Sequence, residues 1–264
     1  MVVFMASFFG KPNYGEAQGA YSWQHLLFVG LLMAIMVGLA ILLGLKNKNK
    51  DVSVKNKVLI WAAFLIDGFE LFKIAFNLGG SEDASSWKRD LPLYLCSIQL
   101  IVIPMAAFTK GKVKETSLDF VFIFGILGAV LGMVGAAQNY SYYPVLSFPN
   151  VVSGITHSIS GFASLYIVIS GMASMKIKNL PYTLGILTVF CILAYCANLA
   201  FGTNYMFIMQ DDGTPYVIFY NLVKGNKVLY PIIVILLFYV YIFTFIYIYN
   251  MIKNRNNNKE EVQS

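Results

Sequence analysis

Seven apolar runs of about 20 residues divide this sequence, and they constrain its fold more than any other feature. A helix needs about 20 residues to cross the hydrocarbon core of a bilayer, and it pairs its backbone groups within a single segment. With only 12% charged residues, the chain has too little polar surface for a water-soluble domain. We therefore predict an all-α polytopic membrane protein, a bundle of seven transmembrane helices. The predicted spans are residues 23–45, 58–78, 91–108, 117–137, 151–173, 180–201 and 228–250.

Basic residues cluster after every second apolar run. Of the 19 basic residues, 13 follow the first, third, fifth or seventh run. Because cytoplasmic loops are enriched in Lys and Arg, we assign this side to the cytoplasm. The N-terminus is then predicted outside and the C-terminus in the cytoplasm. The net charge of +6 is thus a topology signal, and we expect no nucleic-acid partner.

The apolar runs leave room for one membrane domain and a short tail. We predict a single domain over residues 1–250 and a disordered cytoplasmic tail over residues 251–264, which is rich in Asn, Lys and Glu. Residues 1–22 lack the basic start and apolar core of a cleavable signal, so we expect the first span to direct insertion. We place the chain in the plasma membrane of a bacterial cell.

Polar side chains inside the predicted spans gather in their outer halves. At 1.5 Å per residue, these groups lie about 7–16 Å from the outer ends of the second, third and fifth spans. Polar groups in spans are costly, so each is a candidate site residue. Together they predict a polar cavity that opens toward the outer leaflet. The groups are Asp67, Glu70, Lys73, Cys96, Gln99 and His157, with His25 and Asn198 near outer span ends.

Each of these residues also has a structural interpretation. Glu70 and Lys73 share one helix face, so they either form an ion pair that holds the second span to its neighbours or belong to a functional site. His25, at the start of its span, fits an interfacial residue, and Cys96 alone fits a small buried hydrophobe. His157 is the sharpest candidate, because a lone histidine within a span needs a partner. The three cysteines lack CxxC spacing, so we expect no zinc site, no disulfide and no cofactor.

Four segments resemble one known family. LPLYLC, residues 91–96, resembles the LPLHLC signature of the YwaF-like integral membrane proteins, whose animal relatives are the transmembrane protein 164 acyltransferases. The opening YSWQHLLF, the GITHSISG segment around His157, and GTNYMFIM with Asn204 and Tyr205 are similar to family segments in the same order. The family often has histidine where this chain has Tyr94, which we assign to packing.

That resemblance implies a membrane lipid acyltransferase that acts on phospholipids or lysophospholipids. The cysteine and histidine used by the animal relatives correspond to Cys96 and His157. A thioester on Cys96 and a base at His157 would suit acyl transfer. The expected supporting or substrate-binding residues are Glu70, Lys73, Gln99, Asn198, Asn204, Tyr205 and His25.

Two other functional classes fit a polytopic membrane protein. A small-solute or ion transporter could use the carboxylates of the second span, Asp67 and Glu70, with Lys73 along its path. A receptor-like or accessory protein is suggested by the span count alone. A transporter needs polar groups that continue to the cytoplasmic side, where the chain has little beyond Asp119. This asymmetry favours an enzyme that is entered from one leaflet.

Overall fold

The computed structural model describes residues 16–79 and 86–263. Every regular element in this part of the chain is a helix, which confirms the all-α prediction. The helices form two compact units, one that ends at Ala173 and one that begins at Ser174. The predicted single domain over residues 1–250 stays a prediction, and the first 15 residues lie outside the described part.

Six α-helices make up the described part of the first unit: α1 (Trp23–Asn47), α2 (Val52–Gly79), α3 (Gln99–Phe108), α4 (Gly111–Met133), α5 (Ala137–Tyr142) and α6 (Phe148–Ile169). Helix α4 occupies the interior of this unit. It is buried along 67% of its apolar stretch, whereas α1 is buried along 17%, so α1 lies at the periphery. Helix α4 packs against α3 and α6, and α6 also packs against α1 and α2.

The second unit has three α-helices, α7 (Leu180–Phe201), α8 (Val217–Leu222) and α9 (Leu229–Gln263). Helix α7 ends at Phe201 and is capped by Gly202, whose φ of 68° is a left-handed conformation that glycine adopts without steric cost. Helices α7 and α9 contact each other. The tail that composition predicts to be disordered continues α9 as far as Gln263.

Five helices of the described residues are long and apolar enough to cross a membrane. The chain is therefore a multi-pass membrane protein. Helix α2 is also long, but its middle carries the charged residues Asp67, Glu70 and Lys73. The five spans are Trp23–Asn47, Gly111–Met133, Phe148–Ile169, Ile177–Phe201 and Leu229–Arg255.

The third predicted span differs from the structure. We expect one helix over residues 91–108, but α3 begins only at Gln99. Pro92 lacks an N–H and disfavours a helical conformation at Leu91, and Leu93 N–H instead donates to the Leu91 carbonyl at 2.7 Å. Helix α3 has 10 residues and is about 15 Å long, about half of the hydrocarbon thickness. Depths counted along a full helix therefore do not apply to Cys96.

Glycines of α4 allow its neighbours to approach closely. A β-carbon at Gly125 would lie 2.7 Å from the Ser160 carbonyl oxygen and 2.7 Å from the Ser164 β-carbon. A β-carbon at Gly128 would lie 3.4 Å from that of Cys96. These contacts bring α6 and the turn before α3 against the same helix.

A polar cluster holds the other end of α3. The Asn56 amide donates to the Ala107 carbonyl at 2.7 Å, and the Lys114 ammonium donates to the Ala106 carbonyl at 2.7 Å. Lys114 also donates to the Asn56 side-chain oxygen. The last carbonyls of a helix have no partner within it, so these two side chains satisfy them.

We expect Asn56→Ala to lower the thermal stability of the protein. The substitution leaves the Ala107 carbonyl and one Lys114 N–H without their partner, at a cost of about 1–3 kcal/mol for each group that stays buried. Circular dichroism of the purified protein in detergent should show a melting temperature several degrees lower. Ser53→Ala, on an exposed position of the same helix, is the matched control. Equal melting temperatures for both variants would contradict a stabilising role for the cluster.

Candidate functional site

The first unit encloses a polar cavity of about 140 Å³. Three chain segments form its walls: the second half of α2, the turn that leads into α3, and the first half of α6. Most of the lining side chains carry hydroxyl, thiol, imidazole or charged groups. The lining residues are Ile66, Glu70, Lys73, Cys96, Ser97, Leu100, Ser153, Thr156, His157 and Ser160.

Cys96 and His157 both line this cavity, and both lie against glycines of α4. A β-carbon at Gly128 would touch that of Cys96 at 3.4 Å, and a β-carbon at Gly132 would overlap the imidazole of His157. Two residues that are far apart in sequence therefore pack one helical turn apart on the central helix.

Gly132 shapes the pocket that holds the imidazole. A β-carbon at this position would overlap the ring atoms of His157. The ring therefore lies directly against the α4 backbone, one turn beyond Gly128. His157 lies about 13–14 Å along α6 from Phe148. The predicted start of this span at residue 151 would give about 9 Å, so the difference arises because α6 begins earlier than predicted.

Glu70 and Lys73 form an ion pair in the cavity wall. The Lys73 ammonium lies 2.6 Å from a Glu70 carboxylate oxygen, with the lysine side chain 20% and the glutamate side chain 12% exposed. Lys73 lines the cavity together with Cys96 and His157. The pair lies on one helix face and also lines the cavity, so its interpretation as a structural ion pair and its interpretation as part of a site are compatible.

Gln99 is fully buried at the first residue of α3. Within the described residues, neither its amide nitrogen nor its amide oxygen has a hydrogen-bond partner. Its side chain is not among those that line the cavity. A direct role for Gln99 stays a prediction.

His25 is held in a separate cluster at the start of α1. Its Nδ1 accepts a hydrogen bond from the Tyr21 N–H at 2.9 Å, so its Nε2 is left to donate to the Met133 carbonyl at 3.1 Å. The Tyr140 ring packs on it with ring centroids 3.9 Å apart. Burial raises the pKa of Tyr140 to about 12, so this phenol is neutral. The structure does not bring His25 to the cavity; it ties α1 to the end of α4.

Asn198, Asn204 and Tyr205 lie in the second unit, where the asparagines organise a loop. Asn198 exchanges two hydrogen bonds with the Tyr205 backbone, at 2.7 and 3.1 Å. The Asn204 side chain accepts from the Met209 N–H at 2.9 Å and donates to the Asp212 carboxylate at 2.7 Å. Tyr205 itself is fully buried. The similarity of this segment to the family therefore has a structural explanation, and its part in a site stays a prediction.

Several cavity residues were missed at the level of sequence. Ser153, Thr156 and Ser160 lie within four positions of His157 on α6, so helical spacing places Ser153 and Ser160 on its face. This spacing would have been enough to identify Ser153 and Ser160 from the sequence. Gly128 gave no such signal, because its proximity to Cys96 depends on the packing of the turn before α3 on α4.

The fold and the cavity define a class: an all-helical, multi-pass membrane protein with a polar cavity inside its first unit. A family model for the TMEM164 family matches residues 20–249. The chain belongs to the TMEM164 family, and the resemblance noted in its sequence is confirmed. The chain matches no curated protein and no solved structure.

Proposed function

We propose that this protein is a membrane-embedded lipid acyltransferase that carries the acyl group on Cys96. One observation supports this above all: Cys96, His157 and the Glu70–Lys73 ion pair line a single cavity. A nucleophile, a base and a fixed positive charge are the groups that acyl transfer requires. The family assignment adds the general context of a membrane protein.

His157 is suited to act as the base. A neutral imidazole has one N–H donor and one acceptor nitrogen. The acceptor nitrogen can therefore take the thiol proton of Cys96, which lines the same cavity. The close contact of the ring with Gly132 holds the imidazole in place against α4.

Lys73 is suited to stabilise negative charge in the cavity. It lines the same cavity as Cys96, and a nearby cation stabilises the thiolate that attacks an acyl carbonyl. Glu70, at 2.6 Å, holds the ammonium in place. In this proposal the ion pair supports the chemistry through position and charge.

The irregular backbone before α3 is consistent with a site at this depth. Non-helical backbone within a membrane is tolerated where it is buried in protein or lines a cavity, because its N–H and C=O groups need partners. Residues 91–98 are non-helical, and Cys96 and Ser97 line the cavity. A break in a membrane helix at such a site is a recurrent device for binding polar groups.

The size of the cavity suggests how a lipid would bind. Pockets that enclose a whole small ligand usually measure about 300–1,000 Å³. A cavity of about 140 Å³ accommodates the ester and the adjacent atoms of a phospholipid or lysophospholipid. We propose that the acyl chains remain among the lipids of the bilayer during the reaction.

Acyl transfer can be measured directly with the purified protein. Incubation with a phospholipid that carries a labelled acyl chain and with a lysophospholipid acceptor should give labelled diacyl product. Product should scale with protein concentration and be retained in Cys196→Ala, a change of an exposed cysteine in the second unit. Absence of product across diacyl donors and lysophospholipid acceptors of differing headgroups would contradict the proposed function.

We further propose that the chain crosses a bacterial plasma membrane seven times. Helix α2 and the segment 91–108, which includes α3, would add two crossings to the five apolar helices. The basic loops would then all lie in the cytoplasm, with the N-terminus outside.

Reporter fusions test this topology. A reporter after Asn49 should be cytoplasmic, and a reporter after Asp212 should be external. Both positions lie in connections between helices, so fusions there interrupt no apolar helix. If both reporters give the same side, the seven-span topology is wrong.

A further inference from the structure

The last turn of α4 carries part of the surface against which the His157 imidazole lies. Gly132 is the next-to-last residue of this helix, and a β-carbon there would overlap the ring. The position of the imidazole is therefore coupled to the position of this turn. The last four carbonyls of an α-helix have no partner within the helix, and helix ends fray. Any group that bonds to these carbonyls thus bears on the place of His157.

One of these carbonyls, that of Met133, accepts a hydrogen bond from His25. Met133 is the last residue of α4, and both residues are fully buried. The His25 Nε2 donates to the Met133 carbonyl at 3.1 Å, while its Nδ1 accepts from the Tyr21 N–H at 2.9 Å. The Tyr140 ring packs on the same imidazole, with ring centroids 3.9 Å apart. With both nitrogens bonded and the ring packed, His25 keeps its donor on the end of α4.

Met133 also contacts the stretch of α6 that carries His157. Its sulfur lies 3.3 Å from the hydroxyl of Ser158, the residue after His157. Met133 therefore joins His25 of α1 to Ser158 of α6. The residue before Met133 is Gly132, which lies against the imidazole of His157 itself. Two adjacent residues of α4 thus connect the two histidines of the chain.

We propose that His25 is a positioning residue for His157 and acts by capping the last turn of α4. His25 is not among the residues that line the cavity, so its effect must pass through this helix. Without the Nε2 donor, the buried Met133 carbonyl would lose its partner, which is costly unless the turn moves to find another. Such a movement displaces Gly132 and releases the ring. The use of the imidazole as a base rests on the proposed function, whereas its placement by His25 does not.

The imidazole of His157 can be observed directly. The chain has two histidines, so a variant of His25 leaves His157 as its only imidazole. With ¹⁵N-labelled histidine in the purified full-length protein, the nitrogen chemical shifts report the tautomer and hydrogen bonds of that ring. His25→Phe keeps a ring and removes both hydrogen bonds. His25→Gln keeps an N–H donor the same number of bonds from the backbone as Nε2.

We expect the His157 signals in His25→Gln to coincide with those of the wild-type protein. In His25→Phe they should be displaced and broadened, because the ring loses its fixed position. If His25→Phe does not fold, His25→Asn takes its place. The shorter asparagine can still accept from the Tyr21 N–H but does not reach the Met133 carbonyl.

The rate of acyl transfer should follow the spectra. We expect His25→Phe to lower kcat by about 10-fold or more, since a displacement of about 1 Å at a reacting group can cost about 10²-fold. KM should change little, because lipid binding does not require the base. His25→Gln should keep most of the wild-type kcat.

Asn47→Ala is the matched control at the other end of α1. It removes the hydrogen bond of 3.2 Å from the Asn47 amide to the Tyr166 hydroxyl of α6, far along α1 from the end of α4. Its melting temperature should fall. The His157 signals and kcat should both stay at their wild-type values.

Three results would overturn the inference. Identical His157 signals in His25→Phe and His25→Gln would show that the ring keeps its place without the cap. Displaced signals in Asn47→Ala would show that any loosening of α1 has the same effect. Normal kcat in His25→Phe would show that the reaction does not depend on this position. If the signals depend on the cap but the wild-type protein transfers no acyl group, His25 still positions His157 and the proposed function fails.

Discussion

Cys96→Ala and His157→Ala are each expected to reduce acyl transfer to background. Alanine at position 96 removes the atom that would carry the acyl group. Alanine at position 157 removes the base, which contributes typically 10²–10⁴-fold. Because the two residues act as one unit, the double variant should be no slower than the Cys96 variant alone.

The measurement is the rate of labelled product with donor and acceptor lipids at fixed concentrations. Cys191→Ala is a demanding control, since Cys191 is buried in the second unit and contacts the Met206 sulfur at 3.7 Å. We expect this control to keep its activity if it folds. Full activity in Cys96→Ala would exclude the thioester route, and full activity in His157→Ala would exclude this base.

Gly132→Ala is expected to reduce acyl transfer nearly as much as His157→Ala. The added β-carbon would overlap the imidazole, so the ring must leave its position against α4. A displacement of about 1 Å at a reacting group can cost about 10²-fold in rate. The added methyl group takes no part in the reaction, but it would displace the base from its site.

The control for Gly132→Ala is Gly68→Ala on α2, where a β-carbon meets no atom within 4 Å. Alanine is also the better helix former, so this control should fold and retain activity. Size-exclusion profiles should show that both variants remain monodisperse. Normal activity in Gly132→Ala would show that the imidazole need not lie against α4.

The sequence predicts the bounds of several helices closely. The span predicted at 180–201 coincides with Leu180–Phe201, and the span predicted from residue 23 begins at Trp23. These segments are uniformly apolar, and the bilayer leaves a helix as the only way to pair their backbone groups. Local sequence is then sufficient to define them.

The break before α3 does not follow from local sequence in the same way. Residues 91–98 are as apolar as a span, but their conformation depends on contacts with α4, such as that between Cys96 and Gly128. Hydropathy reports how apolar a segment is and carries no information on how its N–H groups are paired. The depth estimate for Cys96 assumed a continuous helix and was therefore wrong. The prediction that Glu70 and Lys73 share one helix face is confirmed by their ion pair.

The candidate site was partly accessible from the sequence. Glu70, Lys73, Cys96 and His157 were predicted, and all four line the cavity. Asp67, which a transport path along α2 would use, is not among the lining residues. His25 and His157 are the same residue type in similar apolar surroundings of the sequence. Only the tertiary structure shows that His25 bonds to the Met133 carbonyl and lies outside the cavity.

The central claim is that Cys96 carries the acyl group, and trapping that intermediate tests it most directly. The wild-type protein is incubated with a donor phospholipid in the absence of acceptor and then digested for mass spectrometry. We expect the peptide containing Cys96 to gain the mass of one acyl group, to lose it in neutral hydroxylamine, and to lose it when a lysophospholipid is added. Acyl transfer that proceeds with Cys96 unmodified, or with Cys96 and Cys196 labelled equally, would contradict the claim.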